Sequence, residues 1–411
     1  MRYVIIGNSA AGVFAAEAIR TLDKAGRIDI IGEEPYPAYA RCLTSYYLTG
    51  RMANEQLFIR PTDFYSRSNL NFHSGIKATN VDPNLRMVYT NKGVTFHYDR
   101  LLIATGASPT MPNIPGIKND GVFGLRTLSD AQGILAHAGP GKRAVIVGGG
   151  FVSLKAAYAL LKAGLSVTCI ISSGQILSQI LDGDAASIMA DALISKGLII
   201  KYHNDVTEVL SKDNTGKRPV SAVRLANGEE LPADVVIIGK GVTPNTGFLD
   251  SSKIEIDSGI VVNQFLQTNF PDIYAAGDVA QTYDIILRAS KVNAIWPNAT
   301  EQGTVAGCNM AGAFIFYAGS IGMNSADFYG LSTIAAGKTK AEGVGYEVVK
   351  LYPGKNLYRR LVFKDDVLVG YIIVGNTAKA GLLTTLVKEQ VTLGAAKQEV
   401  IRGRFRQKIL W

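Results

Sequence analysis

Two glycine-rich turns carry the residues whose spacing is best suited to chemistry. The first has Gly7, Ser9 and Gly12 at the positions of a G-x-G-x-x-G pattern, and the second has Gly148 and Gly150 in the same arrangement. In a dinucleotide-binding turn, the first glycine makes the sharp bend, the second lets the backbone approach a pyrophosphate, and the third lets helix and strand pack closely. Each turn therefore predicts a dinucleotide site, although a tight strand-to-helix connection is the simpler alternative for one turn alone.

The segments around the turns favour the dinucleotide interpretation, because each turn joins an apolar run to a helical pattern and then to a second apolar run. Strand, helix and strand are predicted at 2–7, 13–22 and 27–32 around the first turn, and at 143–147, 151–163 and 165–171 around the second. A repeated unit of this kind predicts two doubly wound α/β domains with parallel sheets.

The residue that follows the second strand of such a unit contacts the ribose of the nucleotide and distinguishes a 2′-hydroxyl from a 2′-phosphate. Glu33 follows Gly12 by 33 − 12 = 21 residues, which is near the spacing expected of an acid that binds a ribose 2′-hydroxyl. The second unit has Ser172 and Ser173 at this place, with neither an acid for NADH nor an arginine for the 2′-phosphate of NADPH. With this discriminator missing, NADH is favoured over NADPH.

Five motifs in a fixed order make the chain similar to a known family. They are Gly7-x-Ser9-x-x-Gly12, Ala104-Thr105-Gly106, Gly148-x-Gly150, Gly241-x-x-Pro244-Asn245 and Ala276-Gly277-Asp278. In this order they resemble the pyridine nucleotide–disulfide oxidoreductases, which are flavoproteins with two dinucleotide-binding domains. The resemblance is strongest to the branch that contains nitrite reductase flavin domains and NADH:rubredoxin reductases.

The resemblance implies an FAD domain that is interrupted by an NAD(P)H domain and followed by an α+β interface domain. The expected boundaries are 1–110 and 246–325 for the FAD domain, 111–245 for the NAD(P)-binding domain and 326–411 for the C-terminal interface domain. Antiparallel strands at 345–352, 359–364 and 367–374 and a helix at 379–394 are predicted for this last part.

The same resemblance assigns cofactor contacts. It implies that Asp278 holds the flavin ribityl chain, that Glu33 holds the adenosine ribose, and that 104–106 line FAD where the chain crosses between domains. The full set of predicted cofactor-binding residues is Gly7, Ser9, Ala10, Ala11, Gly12, Glu33, Glu34, Arg41, Cys42, Ala78, Ala104, Thr105, Gly106, Arg126, Gly148, Gly149, Gly150, Phe151, Val152, Gly241, Gly277, Asp278, Trp296, Ala299 and Gln302.

A helix start at 296–303 resembles the family segment that points at the flavin pyrimidine edge. A helix N-terminus carries roughly +0.5 charge and free N–H groups, which favour an anionic reduced flavin. Ala299 and Gln302 are the predicted contacts, and the alternative is an ordinary helix capped by Asn298. Lys155 stands where relatives often carry a glutamate. We hypothesise that it pairs with Glu301 across the flavin, and a solvated helix lysine is the alternative.

Cysteine usage narrows the mechanism. Cys42, Cys169 and Cys308 are the only cysteines, so a CxxC dithiol, a disulfide framework and a cysteine-ligated cluster within the chain are excluded. The segment around Cys42 resembles the place where coenzyme A-disulfide reductases and NADH oxidases carry a single redox cysteine, although the usual following glycine is Leu43 here. Cys42 is therefore either a redox thiol or a small buried side chain, and the other two are expected to be inert.

Composition and charge bound the partners. The chain has 411 residues, of which 47% are hydrophobic and 18% charged, which excludes a disordered tail, a coiled coil and a collagen-like fibre. The four histidines fall in no motif, so no metal site is expected. The net charge of +8 and the basic tail with Arg402, Arg404, Arg406 and Lys408 predict docking to an acidic iron–sulfur protein, with a solvated terminus as the alternative. Nucleic acid is a poorer fit.

The sequence thus predicts a cytoplasmic FAD flavoprotein that moves electrons between NAD(P)H and an iron–sulfur electron-transfer protein or a larger iron–sulfur redox complex. The predicted catalytic residues are Cys42, Lys155 and Glu301. One alternative function uses Cys42 in the same fold to reduce coenzyme A disulfide, oxygen or peroxide, and another is a non-catalytic flavin-bound assembly subunit or redox sensor. No signal peptide is visible. The uncharged stretch at 305–326 is interrupted by polar residues and glycines, so it is expected to be buried protein rather than a membrane helix. A homodimer through the C-terminal domain is a further expectation.

Overall fold

The computed structural model describes residues 1–212, 218–341 and 343–404. These residues form two compact units. Unit 1 consists of Met1–Cys42, Asn54–Ser108 and Val242–Gly322, and unit 2 consists of Leu43–Ala53, Pro109–Gly241 and the described residues from Met323 onward. The predicted boundaries of three domains stay a prediction.

The elements follow one another in mixed α/β order. The strands are β1 Arg2–Ile6, β2 Arg27–Gly32, β3 Asn71–Ser74, β4 Ala78–Asp82, β5 Met87–Thr90, β6 Thr95–His97, β7 Arg100–Ile103, β8 Ala107–Pro109, β9 Val122–Phe123, β10 Arg143–Val147, β11 Ser166–Ile171, β12 Ile199–Tyr202, β13 Val206–Ser211, β14 Val220–Leu225, β15 Glu230–Pro232, β16 Val235–Ile238, β17 Val242–Pro244, β18 Ile260–Val261, β19 Ile273–Ala275, β20 Ala280–Asp284, β21 Ala289–Lys291, β22 Met323–Phe328, β23 Leu331–Gly337, β24 Tyr346–Gly354, β25 Leu357–Lys364 and β26 Val367–Val374. The helices are α1 Ala10–Leu22, α2 Thr44–Leu48, α3 Asn54–Leu57, α4 Phe64–Arg67, α5 Leu128–His137, α6 Phe151–Lys162, α7 Gly183–Ile194, α8 Trp296–Met310, α9 Ala380–Glu389 and α10 Lys397–Arg402, with short 3-10 turns at Arg41–Leu43, Gly247–Leu249 and Gly394–Ala396.

Unit 1 is built on a parallel sheet of order β19-β7-β1-β2-β3. Successive side chains of a strand point to opposite faces of its sheet, and β1 shows the consequence directly. Tyr3 and Ile5 belong to a core shared with α1 and α8, whereas Val4 and Ile6 belong to a core shared with β4, β5 and β6. Burial on both faces explains why β1 reads as a continuous apolar run.

Two glycines let α1 and α8 approach closely, side by side and in the same direction. A methyl group built on Gly303 would lie 2.3 Å from the carbonyl oxygen of Ala11, and one built on Gly307 would lie 2.4 Å from that of Ala15. Both separations are far below van der Waals contact, so only glycine fits at these two positions. This contact fixes α8 against the helix that follows the first glycine turn.

Unit 2 contains a second parallel sheet, of order β12-β11-β10-β16-β9, with α6 following β10 just as α1 follows β1. It also contains an antiparallel sheet, β22-β23-β26-β25-β24, which packs with α6 and α7 in one core. Buried Arg360 links these parts, since its guanidinium donates to the carbonyl of Thr339 at 3.0 Å and to the Asp182 carboxylate at 3.1 Å.

The predicted fold class is confirmed, including the two Rossmann-like units and the C-terminal α+β part. Two details differ from expectation. Helix α8 begins at Trp296 after Ile295, so Asn298 is inside the first turn and the expectation that it caps the helix is wrong. The stretch at 305–326 is buried only in part, because Phe314 is 82% exposed and Phe316 is 58% exposed.

None of the helices in the described ranges combines the length and the apolar character that a membrane crossing requires.

The α1–α8 contact predicts a stability effect at Gly307. Replacing it with alanine should lower the free energy of unfolding by about 1–3 kcal/mol, because the added methyl group overpacks the helix pair. The shift in urea midpoint measures this. As a matched control, Gly381→Ala in α9, where nothing lies within 4 Å of the added atom, should leave that energy unchanged or raise it by up to about 1 kcal/mol. Equal effects of the two changes would contradict the close contact.

Candidate functional site

The first glycine turn closes through contacts that exclude any side chain. Gly7 has a φ of 124°, and a methyl group on it would lie 2.1 Å from the carbonyl oxygen of Ala104. One on Gly12 would lie 1.9 Å from the carbonyl oxygen of Gly7. In the described part of the chain, the Ser9 hydroxyl makes no capping bond to α1. The first N–H groups of this helix are therefore available to an anion such as a pyrophosphate.

Two carboxylates follow β2, and the structure gives them different surroundings. Glu33 is exposed and pairs with Lys77 at 2.9 Å. Glu34 accepts hydrogen bonds from the guanidinium of Arg41 and from the hydroxyl of Tyr39. The predicted residues Glu34 and Arg41 are thus brought together, while Glu33 stands at the solvent edge where a ribose could be read.

Asn245 makes three hydrogen bonds to the segment 104–106, although no role was predicted for it alone. Its side-chain amide donates to the carbonyl oxygen of Thr105 at 2.9 Å, and its backbone carbonyl accepts from the Thr105 hydroxyl at 2.9 Å. Its backbone N–H also donates to the carbonyl of Gly106 at 2.9 Å. The motif Gly241-x-x-Pro244-Asn245 was the available signal, because its last residue holds the segment predicted to line FAD.

Four predicted cofactor residues, Ala11, Gly277, Ala299 and Gln302, lie together near the start of α8. A methyl group on Gly277, whose φ is 83°, would lie 3.1 Å from the Cβ of Ala11 and 3.6 Å from the Cβ of Ala299. Gln302 is 2% exposed, and its side-chain oxygen accepts from the backbone N–H of Gly277 at 2.8 Å. The turn before Asp278, the first helix and α8 are therefore locked to one another.

A buried polar network supports the same helix start, and no sequence motif predicts it. Asp284 is 3% exposed and accepts from the side-chain amide of Asn293 at 2.7 Å. Asn298 donates in turn to the carbonyls of Asn293 and Ile321, both at 3.2 Å. The buried hydroxyl of Tyr317 accepts a hydrogen bond from the side-chain amide of Gln302 at 3.3 Å, and burial raises the pKa of this hydroxyl far above its ordinary range.

The second glycine turn has the same geometry as the first, but the glycine and the residue with a side chain have exchanged places. A methyl group on Gly148 would lie 2.4 Å from the carbonyl oxygen of Gly239, so Gly239 occupies the place of Ala104. Ser153, which stands at the third glycine position, is fully buried, and its hydroxyl donates to the Gly239 carbonyl at 3.3 Å. The serine fits because its neighbour has no side chain. Space is open around Gly150, at the N-terminus of α6.

The three cysteines differ in exposure, and the other predicted residues lie at element starts or in the core. Cys42 is exposed in the turn Arg41–Leu43, so the alternative of a small buried side chain is wrong. Cys169 is fully buried, and burial raises the pKa of its thiol to about 12; burial also raises the pKa of the Cys308 thiol. Ala10 and Ala78 are buried, Phe151 and Val152 begin α6, Trp296 begins α8, and the backbone N–H of Arg126 donates to Asp130 at 2.9 Å.

The predicted pair of Lys155 and Glu301 stays a prediction, as do the contacts assigned to Gly149, Gly241 and Asp278. In the described part of the chain, no three side chains of histidine, cysteine, aspartate or glutamate are grouped as a metal site would require.

The residues present fit FAD. Gly7, Gly12 and Gly277 each stand where an added Cβ would approach neighbouring atoms too closely, and the N-terminus of α1 has no side-chain cap from Ser9. Glu33 supplies an acceptor beyond β2 for a ribose hydroxyl, at the far end of the same turn. These features supply the tight turn, the uncapped helix N-terminus and the ribose acceptor that a dinucleotide site requires.

Comparison with known proteins bears on both units. The family model for pyridine nucleotide-disulphide oxidoreductases matches residues 1–303, and that for the rubredoxin NAD⁺ reductase C-terminal domain matches residues 323–391. The assimilatory nitrate reductase electron transfer subunit of Bacillus subtilis is 30% identical over 97% of this chain. The NADH-dependent phenylglyoxylate dehydrogenase subunit epsilon of Aromatoleum evansii is 32% identical over 95% of this chain. The match covers 51% of the first relative and 92% of the second, so the chain spans about half the length of the former.

A solved structure shows the same architecture. The ferredoxin reductase for the CYP199A2 system from Rhodopseudomonas palustris superposes with a TM-score of 0.86 at 25% identity, over 96% of this chain and 97% of that one.

The closed first turn predicts that FAD is lost when Gly12 is replaced. In Gly12→Ala the methyl group meets the Gly7 carbonyl, and overpacking of about 1–3 kcal/mol corresponds to FAD affinity about 5- to 150-fold weaker. The FAD content of the purified protein, read from its visible absorbance, measures this. Gly247→Ala is the matched control in the same unit, because nothing lies within 4 Å of the added atom. Full FAD content in Gly12→Ala would count against a dinucleotide site at this turn.

Proposed function

The chain belongs to the pyridine nucleotide-disulphide oxidoreductase family, and we propose that it carries electrons between NAD(P)H and an iron–sulfur electron-transfer protein. As a member it is an oxidoreductase that binds FAD and NAD(P)H. The observation that carries the proposal is the small number of cysteines and their separation in the sequence. Cys42, Cys169 and Cys308 are all free thiols and are far apart in the sequence, so the chain has no CxxC dithiol to relay electrons. A cysteine-ligated cluster takes four thiolates and the chain has three cysteines, so such a cluster belongs to the partner.

Unit 1 would hold FAD through the features described above. The N-terminus of α1 would bind the pyrophosphate, Glu33 would accept from the adenosine ribose, and Asp278 would accept from the ribityl chain. FAD, when bound, exchanges a hydride with NAD(P)H and single electrons with a one-electron acceptor. The start of α8, fixed by Gln302 and Asn298, would place its partial positive charge at the pyrimidine edge and stabilise negative charge there.

Unit 2 would hold the nicotinamide nucleotide. The N-terminus of α6 and the open backbone at Gly150 suit the approach of a second pyrophosphate. Lys155, one turn into α6, is the proposed partner of Glu301. Hydride exchange needs orientation and no general acid or base, so the absence of histidine from the sequence motifs is compatible with this function.

The partner is an acidic iron–sulfur protein or a larger iron–sulfur redox complex in the cytoplasm. Two relatives are named as subunits, one of a nitrate reductase and one of a phenylglyoxylate dehydrogenase, which supports a role as the flavin component of an assembly. The net charge of +8 suits an acidic partner by raising the rate of encounter. The use of few, separated cysteines suits a reducing compartment.

A homodimer is proposed through the C-terminal sheet. Strand β24 is an edge strand of that sheet and exposes Tyr352 by 61% and Val348 by 37%. An exposed edge with apolar side chains is a surface that native proteins usually cover.

Exposure of Cys42 favours a second candidate, reduction of a disulfide, oxygen or peroxide by a single thiol. A relative named NADH oxidase from Methanocaldococcus jannaschii is 31% identical over 91% of this chain. A thiolate formed by Cys42 could attack a disulfide sulfur or a peroxide oxygen, and this function would fail without it.

Anaerobic reduction separates the candidates. We expect NADH or NADPH to bleach the bound flavin, and ferredoxin or rubredoxin to reoxidise it, because no dithiol is required between them. Cys42→Ser should keep this turnover if electrons leave directly from the flavin. Loss of coenzyme A-disulfide or oxidase turnover in Cys42→Ser, with acceptor reduction kept, would favour the second candidate. Negligible bleaching by either nucleotide would point to an assembly subunit or redox sensor instead.

The basic C-terminus predicts a salt-dependent encounter. Of its four basic residues, Arg402 and Arg404 lie in the described part, whereas Arg406 and Lys408 lie outside the described residues. Replacing Arg404, Arg406 and Lys408 by glutamine should reduce kcat/KM for the acceptor and flatten its dependence on ionic strength, while flavin reduction by nucleotide is unchanged.

A matched control removes three exposed lysines elsewhere, Lys92, Lys118 and Lys355. If both triple variants respond to salt in the same way, the C-terminus is a solvated end with no docking role.

A further inference from the structure

The two parallel sheets allow a residue-by-residue comparison of their nucleotide edges. In unit 1 the last residue of β1, Ile6, pairs with Ile31, and Glu33 lies two residues further on. In unit 2 the last residue of β10, Val147, pairs with Ile170, and Ser172 lies two residues further on. Ser172 therefore occupies the backbone position of Glu33, and the acceptor that would read a ribose 2′-hydroxyl is replaced by a hydroxyl.

The neighbouring strand shows a second exchange at the same level. Gly32 pairs with Ser74, which puts Gly75 beside Glu33. Ile171 pairs with Tyr202, which puts His203 beside Ser172. Gly75 has a φ of 69° and His203 a φ of 54°, so both adopt the left-handed conformation that glycine tolerates best. Unit 1 has no side chain at this place, and unit 2 holds an imidazole there despite the conformational cost.

The loop after β11 is shaped around that imidazole. A methyl group on Gly174 would lie 2.9 Å from Cε1 and 3.1 Å from Nε2 of His203, so the loop passes closely beside the exposed ring because residue 174 is glycine. The backbone N–H of Leu177 donates to the carbonyl of Gly149 at 2.8 Å, which holds the same loop over the glycine turn. The ring therefore lies at the edge where the adenosine end of a nucleotide leaves the turn.

Two carboxylates that follow or pair with β12 form ion pairs with lysines. Glu229 pairs with Lys201 at 2.9 Å, and Asp205 forms an ion pair with Lys240. Compared with unit 1, this edge has lost an acid and gained a hydrogen-bond donor. A carboxylate repels a phosphate dianion, whereas a hydroxyl and an imidazole can both donate to it.

We propose that Ser172 and His203 form a site for the 2′-phosphate of NADPH, so that this chain binds NADPH more tightly than NADH. The absence of an arginine had favoured NADH, but strand register reveals the imidazole, which lies too far along the chain to be associated with this loop from spacing. The inference rests on the proposed function only in taking unit 2 as the nicotinamide nucleotide site.

The experiment measures binding to the FAD-loaded protein without turnover. Calorimetry gives dissociation constants for 2′,5′-ADP and 5′-AMP, which differ only in the 2′-phosphate, and then for NADP⁺ and NAD⁺. We expect 2′,5′-ADP to bind more tightly than 5′-AMP. His203→Gly, which keeps the left-handed backbone as Gly75 does, should weaken 2′,5′-ADP by about 5- to 20-fold, the scale of one exposed charge-assisted hydrogen bond, with 5′-AMP unaffected.

A reciprocal variant restores the residue of unit 1. Ser172→Glu should weaken 2′,5′-ADP by about tenfold or more through repulsion between like charges, while 5′-AMP binds as well as before or better. His203→Asn, which also tolerates the left-handed conformation, replaces His203→Gly if the latter folds poorly. His97→Gln, at an exposed histidine of unit 1, is the control and should change neither constant.

Equal affinity of the unchanged protein for 2′,5′-ADP and 5′-AMP would overturn the proposal, and so would a parallel loss of both in His203→Gly. These outcomes are separate from the electron acceptor, because a protein that reduces no ferredoxin can still show the 2′-phosphate preference, and one that reduces it can lack the preference.

Discussion

Everything in both units depends on one close approach of backbone to backbone. Gly7, which follows β1, turns against the carbonyl of Ala104 after β7, and Gly148, which follows β10, turns against the carbonyl of Gly239 after β16. Because no side chain fits in either contact, the turn stays tight and the following helix begins directly above the strand ends. That placement leaves the first N–H groups of α1 and α6 at the sheet edge, where they can bind a pyrophosphate.

In unit 1 the same constraint extends to the proposed flavin face. Helix α1 is positioned by the turn, and α8 can approach it only because Gly303 and Gly307 have no side chains. Hydrogen bonds then hold the start of α8. The side chain of Gln302 accepts from the backbone N–H of Gly277, and the side-chain amide of Asn298 donates to two backbone carbonyls. The helix end that would act on the flavin is thus fixed by glycine packing on one flank and by buried hydrogen bonds on the other. Rigidity of this kind is what electrostatic stabilisation requires.

How far the sequence predicted this arrangement depends on how local each feature is. Strands β1 and β10, their turns and their helices were predictable, because apolar runs and glycine spacing encode them within a few residues. The start of α8 at Trp296 was predictable as well, but the alternative in which Asn298 caps the helix was wrong, because its side-chain amide donates to the carbonyls of Asn293 and Ile321. The roles of Asn245 and Asp284 depend on partners that the sequence does not identify, and Phe314 is exposed although its surroundings read as core. Long-range hydrogen bonds and solvent exposure are set by tertiary packing, which no local pattern records.

Internal repetition recovers part of what local patterns miss, because the second unit can be read against the first. Unit 1 has Gly12 at the third glycine position and Ala104 at the strand end that the turn meets, whereas unit 2 has Ser153 and Gly239 at these places, so the side chain has moved from the strand end to the helix while the tight turn is kept. At the ribose edge, Glu33 with Gly75 corresponds to Ser172 with His203. The exchange at the third glycine position leaves the total side-chain volume nearly unchanged and therefore preserves the turn. The exchange at the ribose edge instead changes charge and hydrogen-bonding capacity at a solvent-exposed position. Differences of the second kind are where two copies of one scaffold can acquire different ligands, since they alter recognition without disturbing the backbone approach on which both units are built.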